Sequence, residues 1–433
     1  MNTIAIRFAG ATALAFVARA AIGQQVDTVR LGDAQAAAQA RDPRAREVAL
    51  QRARASLRLE NIAAERFPTL SVDGQAQYQS RVTAVPLKLP TGGIPTPPHD
   101  TYDGRLTATE RLYDPSVGAR RGVERAQLDQ NMAQVRVTLF QTRQLVNDAF
   151  FTAALLQSRA AAVSASIADL AAQLKVMDDR VRAGAALPGD AAAIRAAMLL
   201  RRQDQEQFET DRRAALAVLS DLTGDSIPPS AVLALPDLSA AVADARGAGT
   251  VRSRPEYEQF ARSRELLQRQ ADVIGSQTKP RLNAFGRVGY GKPGLNMLNT
   301  TFQDYWLGGV QVQWSPWTWG ANERDREALR AQQDVVTAEE TAFTESMRRA
   351  TMKSLANIDR LATTLKQDDE IIALREQILQ ETAAKLRENV VTTAEYVDRQ
   401  TDLYNARVAR AAHEVELAQT RATYLTTLGI EVR

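Results

Sequence analysis

From Val117 to Arg182 the sequence carries no proline, and apolar or small residues recur in alternating three- and four-residue steps. Leu139, Thr142, Val146, Ala149, Ala153, Leu156, Ala160, Val163, Ile167, Leu170, Leu174, Met177 and Val181 mark the seam. A sustained heptad pattern of this kind specifies a helix that packs along its whole length. A second seam runs from Asn322 onward, with Ile358, Leu365, Ile372, Leu379 and Leu386 at seven-residue spacing and Leu361 between them. At 1.5 Å per residue, about 65 helical residues extend roughly 100 Å, more than a globular domain needs. Each seam ends at a turn, Gly184 to Gly189 and Glu388 to Thr393, and a shorter helical pattern then returns. Two helical hairpins with antiparallel arms are predicted, their stripes serving packing.

The hairpins belong to a larger duplication. Asp42-Pro43 aligns with Arg254-Pro255, Phe67-Pro68-Thr69-Leu70 with Lys279-Pro280-Arg281-Leu282, and Leu222-Thr223-Gly224 with Thr427-Leu428-Gly429. Between the two prolines of each half lies a charged, alanine- and leucine-rich segment without a breaker, so each half opens with a helix. After the second proline the period changes from helical to alternating. Leu70, Val72, Gly74, Ala76 and Tyr78 face one way and Ser71, Asp73, Gln75 and Gln77 the other; Leu282, Ala284, Gly286, Val288 and Tyr290 repeat the apolar face. Return strands follow, through Leu106, Ala108 and Leu112 and through Trp306, Gly308, Val310, Val312 and Trp314, with Glu110 breaking the first alternation. The tips, Arg81 to Asp103 and Lys292 to Asp304, read as solvent loops.

Four alternating strands fit one face of a soluble sandwich or the wall of a membrane barrel. Strands of about ten residues match a tilted bilayer crossing. Tyr305, Trp306, Trp314, Trp317 and Trp319 gather at the ends of the last strand, where an interfacial aromatic belt would lie. No uncharged run of about 18 or more apolar residues follows the N-terminus, so membrane entry is expected through strands.

The N-terminus has a charged start at Arg7, an apolar stretch from Phe8 to Ala18, and Ala-Arg-Ala at 18–20, the plan of a secretory signal cut there or after Gly23. A short buried helix is the alternative. The sequence divides into the signal at 1–23, a first repeat at 24–224 with a β-hairpin at about 69–113 and a helical tip at about 183–190, a crossover at 225–253, and a second repeat at 254–433 with a β-hairpin at about 281–315 and a tip at about 388–395. There is no cysteine, and His99 and His413 are the only histidines, so thiolate chemistry, zinc clusters and a Ser-His-Asp triad lack raw material. The formal charge of +3 is spread along the chain without the basic stripe a nucleic-acid backbone requires. No cofactor or metal is expected.

With strand hairpins and long helical pairs in this order, the sequence resembles the TolC family of outer-membrane efflux proteins over nearly its whole length after the signal. The strongest local match is Glu395-Tyr396-Val397-Asp398-Arg399-Gln400-Thr401-Asp402-Leu403-Tyr404-Asn405-Ala406-Arg407, similar to the family's two acidic residues three apart followed by Leu-Tyr-Asn-Ala and a basic residue. Ala183-Gly184-Ala185-Ala186-Leu187-Pro188-Gly189-Asp190 is similar to its Gly-x5-Asp tip. The resemblance implies a mainly α fold with a membrane β-barrel portion. In that fold each copy in a homotrimer gives four strands to a twelve-stranded barrel, which an α-helical tunnel continues through the periplasm of a Gram-negative-type bacterium.

It further implies a passive conduit in the outer-membrane lipid, without catalysis, working with a periplasmic adaptor and an inner-membrane RND, ABC or MFS transporter. By the same resemblance Glu395, Asp398 and Asp190 belong to the constriction of the periplasmic entrance, and Gly184 and Asn389 to the adaptor-docking tips. Two acids near a helix N-terminus also simply complement its dipole. The family's latch tyrosine and arginine are replaced by Leu386 and Val391, so closure is expected to rest on packing or on Arg182 or Arg387. A soluble coiled-coil adaptor without a pore is the competing reading, weakened because adaptors carry one helical hairpin. A carboxylate glycosidase is the other, weakened because Glu395 and Asp398 lie on a helix without a cleft.

Overall fold

The computed structural model describes residues 28–83, 88–89, 92–93, 96–247, 253–297 and 299–432. The expected signal at 1–23 lies outside them, as do parts of the proline-rich loop and of the crossover. The first half runs β1 (Thr28–Arg30), α1 (Leu31–Arg41), a 3-10 turn at Pro43–Arg46, α2 (Glu47–Ala64), β2 (Thr69–Tyr78), the short pair β3 (Lys88–Leu89) and β4 (Gly92–Gly93), β5 (Asp100–Tyr113), α3 (Ser116–Arg182) and α4 (Pro188–Thr223). The crossover holds β6 (Val232–Ala234) and α5 (Ser239–Gly247). The second half runs α6 (Pro255–Ser276), β7 (Arg281–Lys292), β8 (Gln303–Gln313), α7 (Ala321–Arg387) and α8 (Thr393–Leu428).

The duplication is tighter than the proline pairs alone indicate. Every boundary of the long arms recurs 205 residues later: 116 and 321, 182 and 387, 188 and 393, 223 and 428. The arms are 67 and 36 residues long in both halves. The proline pairs recur 212 residues later, at 43 and 255 and at 68 and 280, so the second half loses its seven residues in its shorter strand hairpin. Both short arms end at a left-handed glycine, Gly224 and Gly429 at φ +81°, which a side chain would strain.

One antiparallel sheet joins the halves in the order β2-β5-β7-β8, leaving β2 and β8 as edges. Residues opposite one another share a face. The register therefore puts Leu70, Ala108, Gly286 and Gly308 in one rung of the apolar face, and Val72, Leu106, Val288 and Trp306 in the next. The other face carries Asp73, Arg105, Gly289 and Tyr305, then Ser71, Thr107, Arg287 and Leu307. Glu110 falls on the apolar face opposite Ala284, and a bulge between Arg111 and Tyr113 returns Tyr113 to that face. The apolar face is bare: Val72 is 83% exposed and Trp306 78%.

The helices continue this sheet as a layer that changes partners along its length. Near the strands α3 packs on α2 and α6, and α6 on α7. Asn131 donates to Gln51, Gln130 to Ser263 and Arg264 to Glu340 at this level. Farther out α3 packs on α4 and α8, and α7 on α8. Gln400 donates to Ser166 there, and Arg407 spans from Asp169 to Glu376.

Between the levels lies the main core. Val146, Phe150, Phe151, Ala153 and Ala154 of α3 meet Leu31 of α1, Leu219 of α4, Leu233 of β6 and Leu425 of α8. Although one stretch of α3 is apolar and long enough to cross a membrane, these residues pack against protein. The short β1 and β6 pair in parallel beside this core. Gln35 donates to Asn147 at 2.6 Å, and Asn147 to Thr426 at 3.3 Å, which ties the two halves by a buried polar chain. At the duplicated proline pairs the halves carry ion pairs of opposite polarity, Asp42 with Arg44 and Arg254 with Glu256.

Candidate functional site

At the far end of the helical hairpins the two tips have the same backbone. In each, the residue two past the last helical one is left-handed, Gly184 at φ +71° and Asn389 at φ +59°. Gly184 N–H donates to Val181 O and Ala185 N–H to Arg180 O; Asn389 N–H donates to Leu386 O and Val390 N–H to Lys385 O. These are paired Schellman closures, which glycine makes freely and asparagine tolerates. The next helices start with Pro188 in the first turn of α4 and with Thr392 as N-cap of α8, its hydroxyl accepting from Glu395 N–H at 3.2 Å.

Asp190 and Glu395 are the same position of the repeat, third in their helices. Their side chains nonetheless do different things. Asp190 uses both oxygens: Oδ2 accepts from Leu187 N–H at 3.0 Å, capping α4, and Oδ1 accepts from the Thr393 hydroxyl of the other tip at 2.7 Å. Glu395 and Asp398 are exposed on one side of α8, while Tyr396 and Gln400 turn inward. Neither exposed carboxylate has a cationic partner among the described residues, whereas Asp402, one turn on, is held by Arg375 and by Arg399 at 3.6 Å. Two free carboxylates of one sign can gather cations.

Beneath them Leu170, Met177, Ile194, Leu386 and Tyr396 form a second apolar cluster with Val391 against it. The residues at the two latch positions therefore contribute packing. Burial pushes the Tyr396 phenol up to about 12, helped by the negative charge of Asp169. The expected ionic substitutes do not bridge the tips: Arg182 pairs with Asp179 in its own helix, and Arg387 turns back to Ala383 O. Arg180 does bridge, donating to Leu386 O at 2.9 Å and to Asn389 Oδ1 at 2.6 Å. Farther along, the Arg201 guanidinium of α4 lies 3.8 Å from the ring centre of Tyr404 in α8. The sequence does not single out Arg180 or Thr393, whose partners lie about 200 residues away.

At the opposite end, the sheet separates the aromatic residues by face. Trp306 stands on the apolar face, while Trp314, Trp317 and Trp319 follow the end of β8 in the segment leading to α7. Tyr305, expected with them, lies on the polar face, where it crosses Gly289 and donates its hydroxyl to Asp103 at 2.5 Å. Alternate residues of a strand point to opposite sides, so Tyr305 and Trp306 cannot share a belt. The apolar face itself adds aromatics at both ends. Tyr78, Tyr102, Tyr290 and Trp306 lie toward the loops, with Phe302 stacked on Tyr290 at 5.5 Å, and Tyr113 lies toward the helices. From Trp306 to the end of β8 at Gln313 the strand advances about 24 Å, or about 18 Å of height at a 40° tilt, most of an outer-membrane apolar band.

Among the described residues no group of three or more His, Asp or Glu side chains is placed to hold a metal ion. No family model matches the sequence, and no curated protein does. Solved structures do match. CusC, described for its transmembrane channel formation, is 14% identical with a TM-score of 0.68, and the match covers 92% of each chain. The outer membrane protein VceC of Vibrio cholerae is 14% identical at 0.63, over 93% of this chain and 97% of that one. The open state of the Neisseria gonorrhoeae MtrE outer membrane channel is 16% identical at 0.63, over 93% and 90%. The chain therefore has the fold of these outer-membrane channel proteins, with the strand hairpins and long helical arms that the resemblance to the TolC family implies.

Proposed function

We propose that this protein is the outer-membrane channel of a tripartite efflux or secretion system, a passive trimeric conduit through periplasm and outer membrane. The observation that carries the reading is the sheet: four strands, one apolar face left bare, one polar face, and two unpaired edges, β2 and β8. Unpaired strand edges cannot remain in lipid, because each unsatisfied backbone group there costs several kcal/mol. Copies of the same chain close the edges. Two copies would make eight strands, whose interior side chains fill; three make twelve and leave a duct.

The helical layer supports the same closure, since α2 and α7 are its outer members near the strands and α4 and α7 farther out. Leu50 and Leu57 of α2, Leu199 and Leu200 of α4, and Ile371 and Leu374 of α7 remain exposed on those members. In the trimer Glu395 and Asp398 ring the entrance. The tips around Gly184 and Asn389 meet a periplasmic adaptor, which couples the duct to an inner-membrane RND, ABC or MFS transporter. A bridging protein without a pore has no use for a bare apolar sheet face. Outer membranes from cells making the protein should contain it, and the purified protein should form ion-conducting channels in planar bilayers; a soluble, non-conducting protein would refute the reading.

A further inference from the structure

The polar face of the sheet does not carry the charge sign of the entrance. Its charged residues are Asp73, Asp103, Arg105, Arg111, Arg281 and Arg287, four arginines against two aspartates. Arg105 is neutralised locally, with Asp73 at 3.6 Å and Asp103 at 3.3 Å. Arg111 and Arg281 sit at the strand bases beside Glu65 and Asp114 and line a polar cavity of about 430 Å³ with Arg120. Arg287 lies one rung from Arg105 on the same face but takes no part in its ion pairs. Its guanidinium reaches the Thr107 hydroxyl at 3.3 Å and has no carboxylate partner among the described residues. Its rung neighbours are Ser71, Thr107 and Leu307.

We infer that the barrel lumen is an anion-attracting segment, with the unpaired Arg287 guanidinium as its principal site for carboxylate-, phosphate- or sulfonate-bearing solutes. The inference rests on the duct reading, in which the polar face lines the lumen and three copies place three Arg287 side chains around one axis. Guanidinium stays charged at every physiological pH, so it attracts oxyanions as a fixed positive charge whatever the solute's shape. The duct then has opposite fixed charges at its ends: carboxylates of Glu395 and Asp398 at the entrance, guanidinium in the barrel. A solute leaving the tunnel with negative groups meets an attractive wall before the outer loops.

Fixed charges in a wide lumen act through solvent, so salt sets their reach, about 30 Å at 0.01 M and about 3 Å at 1 M. Block of single channels by inorganic triphosphate, added from the loop side in a planar bilayer, reads this directly. Arg287→Gln should weaken the block on the order of tenfold at 0.01 M KCl and leave it unchanged at 1 M, and Arg287→Lys should retain it. Equal block of the wild type and Arg287→Gln at low salt would overturn the inference, as would a loss that persists at 1 M or that Lys does not rescue. If the wild type forms no channels, the duct reading itself fails.

Discussion

The Thr393 hydroxyl donates to Asp190 Oδ1 at 2.7 Å, joining the N-terminus of α8 to that of α4 across the two halves of the repeat. Because Asp190 Oδ2 also caps its own helix, one carboxylate holds both helix starts in register. Removing one partner of a hydrogen bond to a charged group costs about 1–3 kcal/mol. In a bilayer recording, Thr393→Val and Asp190→Asn should each raise the open fraction of the channel. A double-mutant cycle should give a coupling energy of about 0.5–3 kcal/mol; additivity would mean that the contact does not hold the tips.

Arg180 and Arg182 make a matched comparison. Only Arg180 crosses between the tips, to Leu386 O and Asn389 Oδ1, while Arg182 pairs with Asp179 within α3. Arg180→Ala should therefore open the entrance and expose Asn389 to proteolysis, and Arg182→Ala should change neither by a measurable amount. Equal effects of the two would assign closure to apolar packing around Leu386 and Tyr396 alone.

Glu395 and Asp398 are exposed and unpaired among the described residues, so their function is expected to be electrostatic. Glu395→Gln with Asp398→Asn should reduce cation preference in a KCl gradient and weaken divalent-cation block at least several-fold, without lowering thermal stability. Unchanged block would leave complementing the dipole at the start of α8 as the role of the two acids.

Stability at low pH should depend on Asp42. Its hydrogen bond with the Arg44 guanidinium, together with bonds from Arg44 N–H and the Thr142 hydroxyl, holds the carboxyl down at about 2 against the opposing effect of burial. The folded state binds the proton more weakly than the unfolded chain, so the contribution is complete above pH about 4 and disappears as pH falls through 2. With Arg44 half in solvent, it amounts to about 1–2 kcal/mol. Asp42→Asn should lower the unfolding temperature at pH 6 and converge with the wild type near pH 2; parallel curves would contradict this.

The long arms and strands were legible because their periods persist for many turns, and the 67-residue helices start and stop within a residue or two of where the seams do. What was hidden has short range or depends on partners. β1 and β6, three residues each, are too short to show alternation, and their pairing is set by the core around Leu233. Arg180 is one arginine among many along α3, singled out only when the second tip folds beside it. The misplaced Tyr305 has a different origin: grouping aromatics by proximity along β8 ignored the two-residue period that sets their faces. Equivalence of Asp190 and Glu395 was obscured because the proline pairs and the helical arms repeat at different offsets.

A trimeric duct requires that β2 and β8 be closed by other copies of the chain. The protein has no native cysteine, so Val72→Cys on β2 and Val310→Cys on β8 give a chain with two reactive thiols on the two edges. Treated with a flexible bis-maleimide in outer membranes, it should yield covalent dimers and trimers, with the ladder stopping at three. A ladder that stops at one or two, or continues past three, would contradict a trimeric duct.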